Sequence, residues 1–99
     1  MMYLLMNEQQ AIHGFVTGRV QGVGFRMATE RQARTLDLTG WVRNCYDGRV
    51  EFYACGSETQ LSDFKQWLNR GPSMAHVLKL EVEDAKLEKF ESFEITKTN

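Results

Sequence analysis

The run from Thr39 to Cys55, TGWVRNCYDGRVEFYAC, constrains the fold more than any other part of the chain. Two stretches rich in Trp, Val, Phe and Tyr flank Tyr46-Asp47-Gly48, and Asp-Gly between such stretches is among the strongest local hairpin signals. A two-residue turn would pair Arg43 with Phe52. A three-residue loop with Gly48 in the left-handed conformation instead pairs Asn44 with Val50 and Val42 with Phe52. The second register sorts the faces better: Val42, Val50, Phe52 and Ala54 share one side, while on the other Arg43 meets Glu51 and Trp41 meets Tyr53. In either register Cys45 and Cys55 lie near opposite ends of the hairpin, roughly 17 to 20 Å apart at about 3.4 Å per residue, too far for a disulfide. Two cysteines alone, at a spacing that matches no standard zinc arrangement, read as structural thiols.

The rest of the chain alternates short elements around this hairpin. Ala11 to Thr17, AIHGFVT, is a strand-like mixture that ends at Gly18. From Phe25 onward, Phe25, Ala28, Ala33 and Leu36 recur at helical spacing. Ser57 with Gln60 resembles a capping box, and Leu61, Phe64 and Leu68 continue as a second helix until Gly71-Pro72 stops it. Leu78, Leu80 and Val82 then alternate with charged residues, and SFEIT alternates Phe93 with Ile95, so one or two strands close the chain. The order β, α, β, β, α, β predicts an α+β fold, a ferredoxin-like sandwich with an antiparallel sheet and both helices on one face. Its expected limits are residues 11–97, after an N-terminal extension at 1–10. In this topology the first two strands run parallel with the third between them. The end of strand one, the Gly18–Phe25 loop and Asn44 at the end of strand two therefore meet at one sheet edge.

Ninety-nine residues suit one small domain, and 12 Lys and Arg against 13 Asp and Glu leave a net charge of −1, which gives no electrostatic support to a nucleic-acid partner. The apolar MMYLLM is too short to span a membrane and lacks the flanks of a signal peptide, so the expectation is a cytoplasmic monomer with no membrane partner.

Chemistry concentrates in Gly18–Arg26, GRVQGVGFR. A glycine-rich turn that opens a helix can aim successive N–H groups at one point, and the helix terminus adds partial positive charge. Gly22 and Gly24 can take positive φ cheaply, and Arg26 offers a planar fork suited to two phosphate oxygens. The spacing matches neither GxxxxGK[ST] nor a helix-opening GxGxxG, so a nucleotide pocket is not favoured.

Together, GRVQGVGFR, GWVRNCYDGRVE and GPSMAHV, in this order, closely resemble the acylphosphatase family over roughly Ile12 to Ile95. The resemblance implies the same ferredoxin-like fold and hydrolysis of acyl phosphates to a carboxylate and inorganic phosphate, with no metal or organic cofactor. It also implies catalytic roles for Arg26 and Asn44, and a phosphate-binding loop made of Gln21, Gly22, Val23, Gly24, Phe25 and Arg26. Arg19 falls at a variable position of that motif. A carboxylate leaving group of low pKa needs no general acid, which suits so sparse a site. Cys45 beside Asn44, and bulky Phe52 and Tyr53 in the third strand, depart from the usual family pattern. By strand alternation Cys45 should point away from Asn44.

Other residues have plainer expectations. His13 lies mid-strand and His76 follows the Gly71-Pro72 turn, both placed far from the loop. Trp41 and Tyr53 could stack RNA bases on an open sheet, but near-neutral charge favours a cross-strand aromatic pair. Glu30, Arg31 and Arg34 look like a solvated helix face, with Glu30 and Arg34 in the favourable i, i+4 order.

Overall fold

The computed structural model describes residues 8–99, so most of the expected N-terminal extension lies outside the described residues. The elements are β1 (Gln10–Arg19), α1 (Phe25–Thr35), β2 (Thr39–Asn44), β3 (Val50–Gly56), α2 (Glu58–Arg70), β4 (His76–Asp84) and β5 (Phe93–Ile95). They form a five-stranded sheet of order β4-β1-β3-β2-β5, with β1 and β2 each antiparallel to the β3 that separates them. This is the ferredoxin-like arrangement with one addition. The short β5 pairs parallel to β2, Gly40 opposite Phe93 and Val42 opposite Ile95, so the sheet is mixed rather than wholly antiparallel.

The hairpin takes the three-residue-loop register, with Asn44 opposite Val50, Val42 opposite Phe52 and Gly48 at φ 99°. Strand alternation then divides the molecule. Ile12, Val16, Val42, Val50, Phe52 and Ala54 turn toward Phe25 and Ala33 of α1 and Leu61, Phe64 and Leu68 of α2 to make the main core. The opposite face carries Ala11, Tyr53 and Cys55, packed against Trp41, Ala85 and Phe90. The segment between β4 and β5 closes over that face: the Tyr53 hydroxyl donates to the Lys86 carbonyl at 2.6 Å and accepts from the Glu88 N–H at 2.7 Å.

Helix α2 begins as expected, with Ser57 and Gln60 exchanging hydrogen bonds in a capping box. Two details differ from the sequence pattern. In α1 the buried positions are Phe25, Thr29 and Ala33, and Ala28 is only half-buried; the Thr29 hydroxyl is admitted to the core because it donates to the Phe25 carbonyl at 2.7 Å. In β4 a bulge opposite Thr17 and Gly18 interrupts the alternation, so Val77 and Leu80 pack on the core while Leu78 is 70% exposed.

Candidate active site

The loop between β1 and α1 is shaped by Gly22 and Gly24, at φ 74° and 78°. The left-handed region costs other L-residues about 1–2 kcal/mol each. A Cβ at either position would meet nothing within 4 Å, so glycine supplies conformation here rather than clearance from neighbours. Gly24 is the N-cap of α1, with no side-chain cap and no acidic residue in the first turn. The first intrahelical bond runs from the Ala28 N–H to the Gly24 carbonyl at 3.1 Å. The N–H groups of Phe25, Arg26 and Met27 therefore stay uncommitted within the helix, at the positive end of its dipole. Phe25 itself is 1% exposed and packs on Trp67, so its ring anchors the loop to the core.

A cleft of about 230 Å³ opens beside this loop, and Gln21, Gly22, Gly24, Phe25, Arg26 and Asn44 line it together. Of the expected loop residues only Val23 is absent from the lining; it is partly buried against the core. Arg26 has no ion-pair partner among the described residues. Asn44 arrives from the end of β2, and its Oδ1 is buried without a hydrogen-bond partner among the described residues. A buried carbonyl oxygen left without a partner in this way is uncommon.

Several contributors were not legible in the sequence. The Gln21 amide does not aim at the cleft alone: its Nε2 donates to the carbonyls of Cys45 at 2.8 Å and Arg49 at 2.9 Å, which ties the loop to the hairpin that carries Asn44. Val20, Met27 and Ile95 complete the lining with apolar surface. The chain beyond β5 runs on along β2, where the Asn99 N–H donates to the Asn44 carbonyl and the Asn99 carbonyl accepts from the Tyr46 N–H. His76, expected far from the loop, pairs across the sheet with Arg19 just before it, because the Gly71-Pro72 turn returns β4 to the same sheet edge; its side chain is exposed and outside the cleft lining.

On the opposite face lies a buried charge with several partners. Glu51 is 7% exposed and its carboxylate accepts from Arg43 Nε at 2.7 Å and meets His13 Nε2 at 2.7 Å. Burial pushes its pKa up, but the hydrogen bonds with Arg43 and His13 outweigh burial and hold it below the ordinary value. The Cys45 thiol also turns to this face, 3.9 Å from Glu51 Oε1, away from the Asn44 side chain as strand alternation requires. Burial and the nearby carboxylates of Glu51 and Asp47 push that thiol up from 9.0. Trp41 and Tyr53 stack with centroids 6.2 Å apart, and Tyr53, 4% exposed, presents no ring to a base. Arg34 does more than solvate its helix: besides pairing with Glu30 it forks onto the Phe93 carbonyl, at 3.1 and 3.0 Å, and fastens β5 to α1.

A two-helix, ferredoxin-like α+β domain with a glycine turn, a helix N-terminus, one arginine and one asparagine around a small cleft has the outline of a small domain with a candidate anion site. Comparison with known proteins makes this specific. The acylphosphatase family model matches residues 12–95. An acylphosphatase of Pseudomonas paraeruginosa is 49% identical over 82 residues, spanning 83% of this chain and 90% of that protein. One from Archaeoglobus fulgidus is 47% identical over 85 residues, 86% of this chain and 96% of its own. The solved structure of an acylphosphatase from Coxiella burnetii superposes with a TM-score of 0.87 at 38% identity, covering 89% of this chain and 93% of the other. The chain belongs to the acylphosphatase family and is a hydrolase acting on acyl phosphates.

Proposed function

We propose that the cleft carries out this hydrolysis by gripping the phosphate and aiming a water, with no residue acting as a general acid. The N–H groups of the Gly22–Phe25 turn and of Arg26, together with the Arg26 guanidinium, hold the phosphoryl oxygens. The Asn44 amide holds the attacking water. The bond from phosphorus to the acyl oxygen breaks as the bond from the water oxygen to phosphorus forms; the acyl group leaves as a carboxylate with the bonding electron pair. Asn44 is not a base, so the water proton passes to a phosphate oxygen. Catalysis on this reading is positioning and charge stabilisation, as phosphoryl transfer requires.

The observation that carries the proposal is the convergence on one cleft of Asn44, whose Oδ1 has no partner among the described residues, with Arg26 and the glycine turn. Hydrolysis of benzoyl phosphate in the presence of a chelator tests it, using the wild type, Arg26→Ala and Asn44→Ala. The expected result is an active wild type, a raised Kd for inorganic phosphate in Arg26→Ala, and a loss of kcat with phosphate binding retained in Asn44→Ala. Full activity in both variants would refute it.

A further inference from the structure

Asn44 sits between two residues that both turn to the far side of the sheet, Arg43 and Cys45. Both meet the same carboxylate oxygen: Glu51 Oε1 accepts from Arg43 Nε at 2.7 Å and lies 3.9 Å from Cys45 Sγ. The other oxygen, Oε2, is held by His13 Nε2 at 2.7 Å, from β1. Arg43 is further fixed by Trp41, whose ring centroid lies 4.6 Å from the guanidinium carbon. A carboxylate 7% exposed is expensive to bury, and apolar residues in place of both Glu51 and Arg43 would serve the sheet as well or better. What the buried ion does that an apolar residue cannot is fix direction. With its flanking residues drawn to one point beneath the sheet, the end of β2 loses its freedom to roll about its own axis, and the remaining direction is that of the Asn44 side chain.

We propose that Glu51 is a positioning residue that aims Asn44 into the cleft by clamping Arg43 and Cys45 from the opposite face. The proposal rests on the water-aiming role given above to Asn44. A reacting constellation tolerates errors of only about 0.5 Å or 10–20°, so a strand end free to roll loses alignment without losing its fold. The phosphate grip is anchored by the Phe25 ring in the core and by Gly24 at the helix start, and its tie to the hairpin runs from Gln21 to backbone carbonyls rather than to the clamped side chains. Loss of the clamp therefore lowers kcat and spares phosphate affinity.

The test measures kcat on benzoyl phosphate and the Kd of inorganic phosphate for wild type, Glu51→Leu, Glu51→Gln and Arg43→Met, and repeats Glu51→Leu in an Asn44→Ala background. Glu51→Leu is expected to lose kcat about 10-fold or more, by analogy with other small misplacements, with phosphate Kd within about 3-fold. Arg43→Met, which removes half the clamp and keeps the carboxylate, shows the same effect in smaller measure and stands in should Glu51→Leu fail to fold. Glu51→Gln restores most of kcat, since an amide oxygen still accepts from Arg43. In the Asn44→Ala background Glu51→Leu costs less than about 2-fold, the signature of two residues acting as one unit. A kcat unchanged in Glu51→Leu and Arg43→Met overturns the proposal, as does an equal loss in the Asn44→Ala background. An inactive wild type overturns the water-aiming reading itself, whereas an active wild type indifferent to Glu51 overturns only the clamp.

Discussion

Asn44→Ala separates a residue kept for chemistry from one kept for stability, because the structure assigns opposite signs to the two effects. The side chain has no protein hydrogen bond to lose at Oδ1, which is buried without a partner among the described residues. A buried unsatisfied carbonyl carries a penalty of about 1–3 kcal/mol, which the substitution removes, while trimming an amide of this size costs about 1 kcal/mol of packing. The net change runs from about zero to about 2 kcal/mol of stabilisation. At about 4–8 °C per kcal/mol for a domain of this size, Tm stays level or rises by up to about 16 °C. On the proposed mechanism activity moves the other way: loss of Asn44 should lower kcat by about 10²–10³, the range seen when one aligned polar group is removed from such a site. Thermal melts followed by circular dichroism, initial rates on benzoyl phosphate and a phosphate titration give the three numbers. A Tm lower by about 8 °C or more would show that Asn44 is a structural strand end and refute the reasoning, whatever happened to the rate.

Gln21→Met should cost about 1–3 kcal/mol, two net hydrogen bonds, and no more. The Cys45 and Arg49 carbonyls each keep a backbone donor, from Gly48 and Cys45, so neither is left orphaned; chemical denaturation gives the number, and an unchanged midpoint would show that the tie is idle. Glu51 makes stability depend on acid: its folded pKa lies below the ordinary 4.5, so its contribution is complete above that value and lost as pH falls through the folded value. Urea midpoints followed downward from about pH 5 should fall more steeply for wild type than for Glu51→Gln, and identical slopes would exclude the linkage. Cys45, whose thiol burial and neighbouring carboxylates push above 9.0, should react with iodoacetamide far more slowly in the folded protein than in urea. Mild peroxide should leave turnover intact, and rapid labelling accompanied by loss of turnover would contradict its placement beside Glu51.

How much of this was open to sequence reasoning depends on whether the determining forces are local. The Asp47-Gly48 turn settles its register through φ at a single glycine and the sorting of a few side chains, and Ser57 caps α2 through Gln60 three residues on. Both are legible because cause and effect lie within one turn of chain. The meeting of Gly22, Gly24 and Arg26 with Asn44 is non-local, yet topology alone foretold it, since any sheet with β3 between parallel β1 and β2 brings those chain ends to one edge. Side-chain partners across that edge could not be foretold. Gln21 reads as one more loop residue until the carbonyls of Cys45 and Arg49 stand opposite its amide, and β5, with three residues, carries no signal of its parallel pairing to β2. Glu51 is the sharpest case. Alternation places it correctly on the open face, where a carboxylate is ordinarily solvated, and its burial arises from partners on the two strands that flank it and from a cross-sheet view that no window of sequence contains. The hidden part of the site is thus not the residues that line the cleft but those that fasten them from behind: backbone conformation leaves its mark in glycine, whereas a buried carboxylate looks like any other surface charge until the strands are laid side by side.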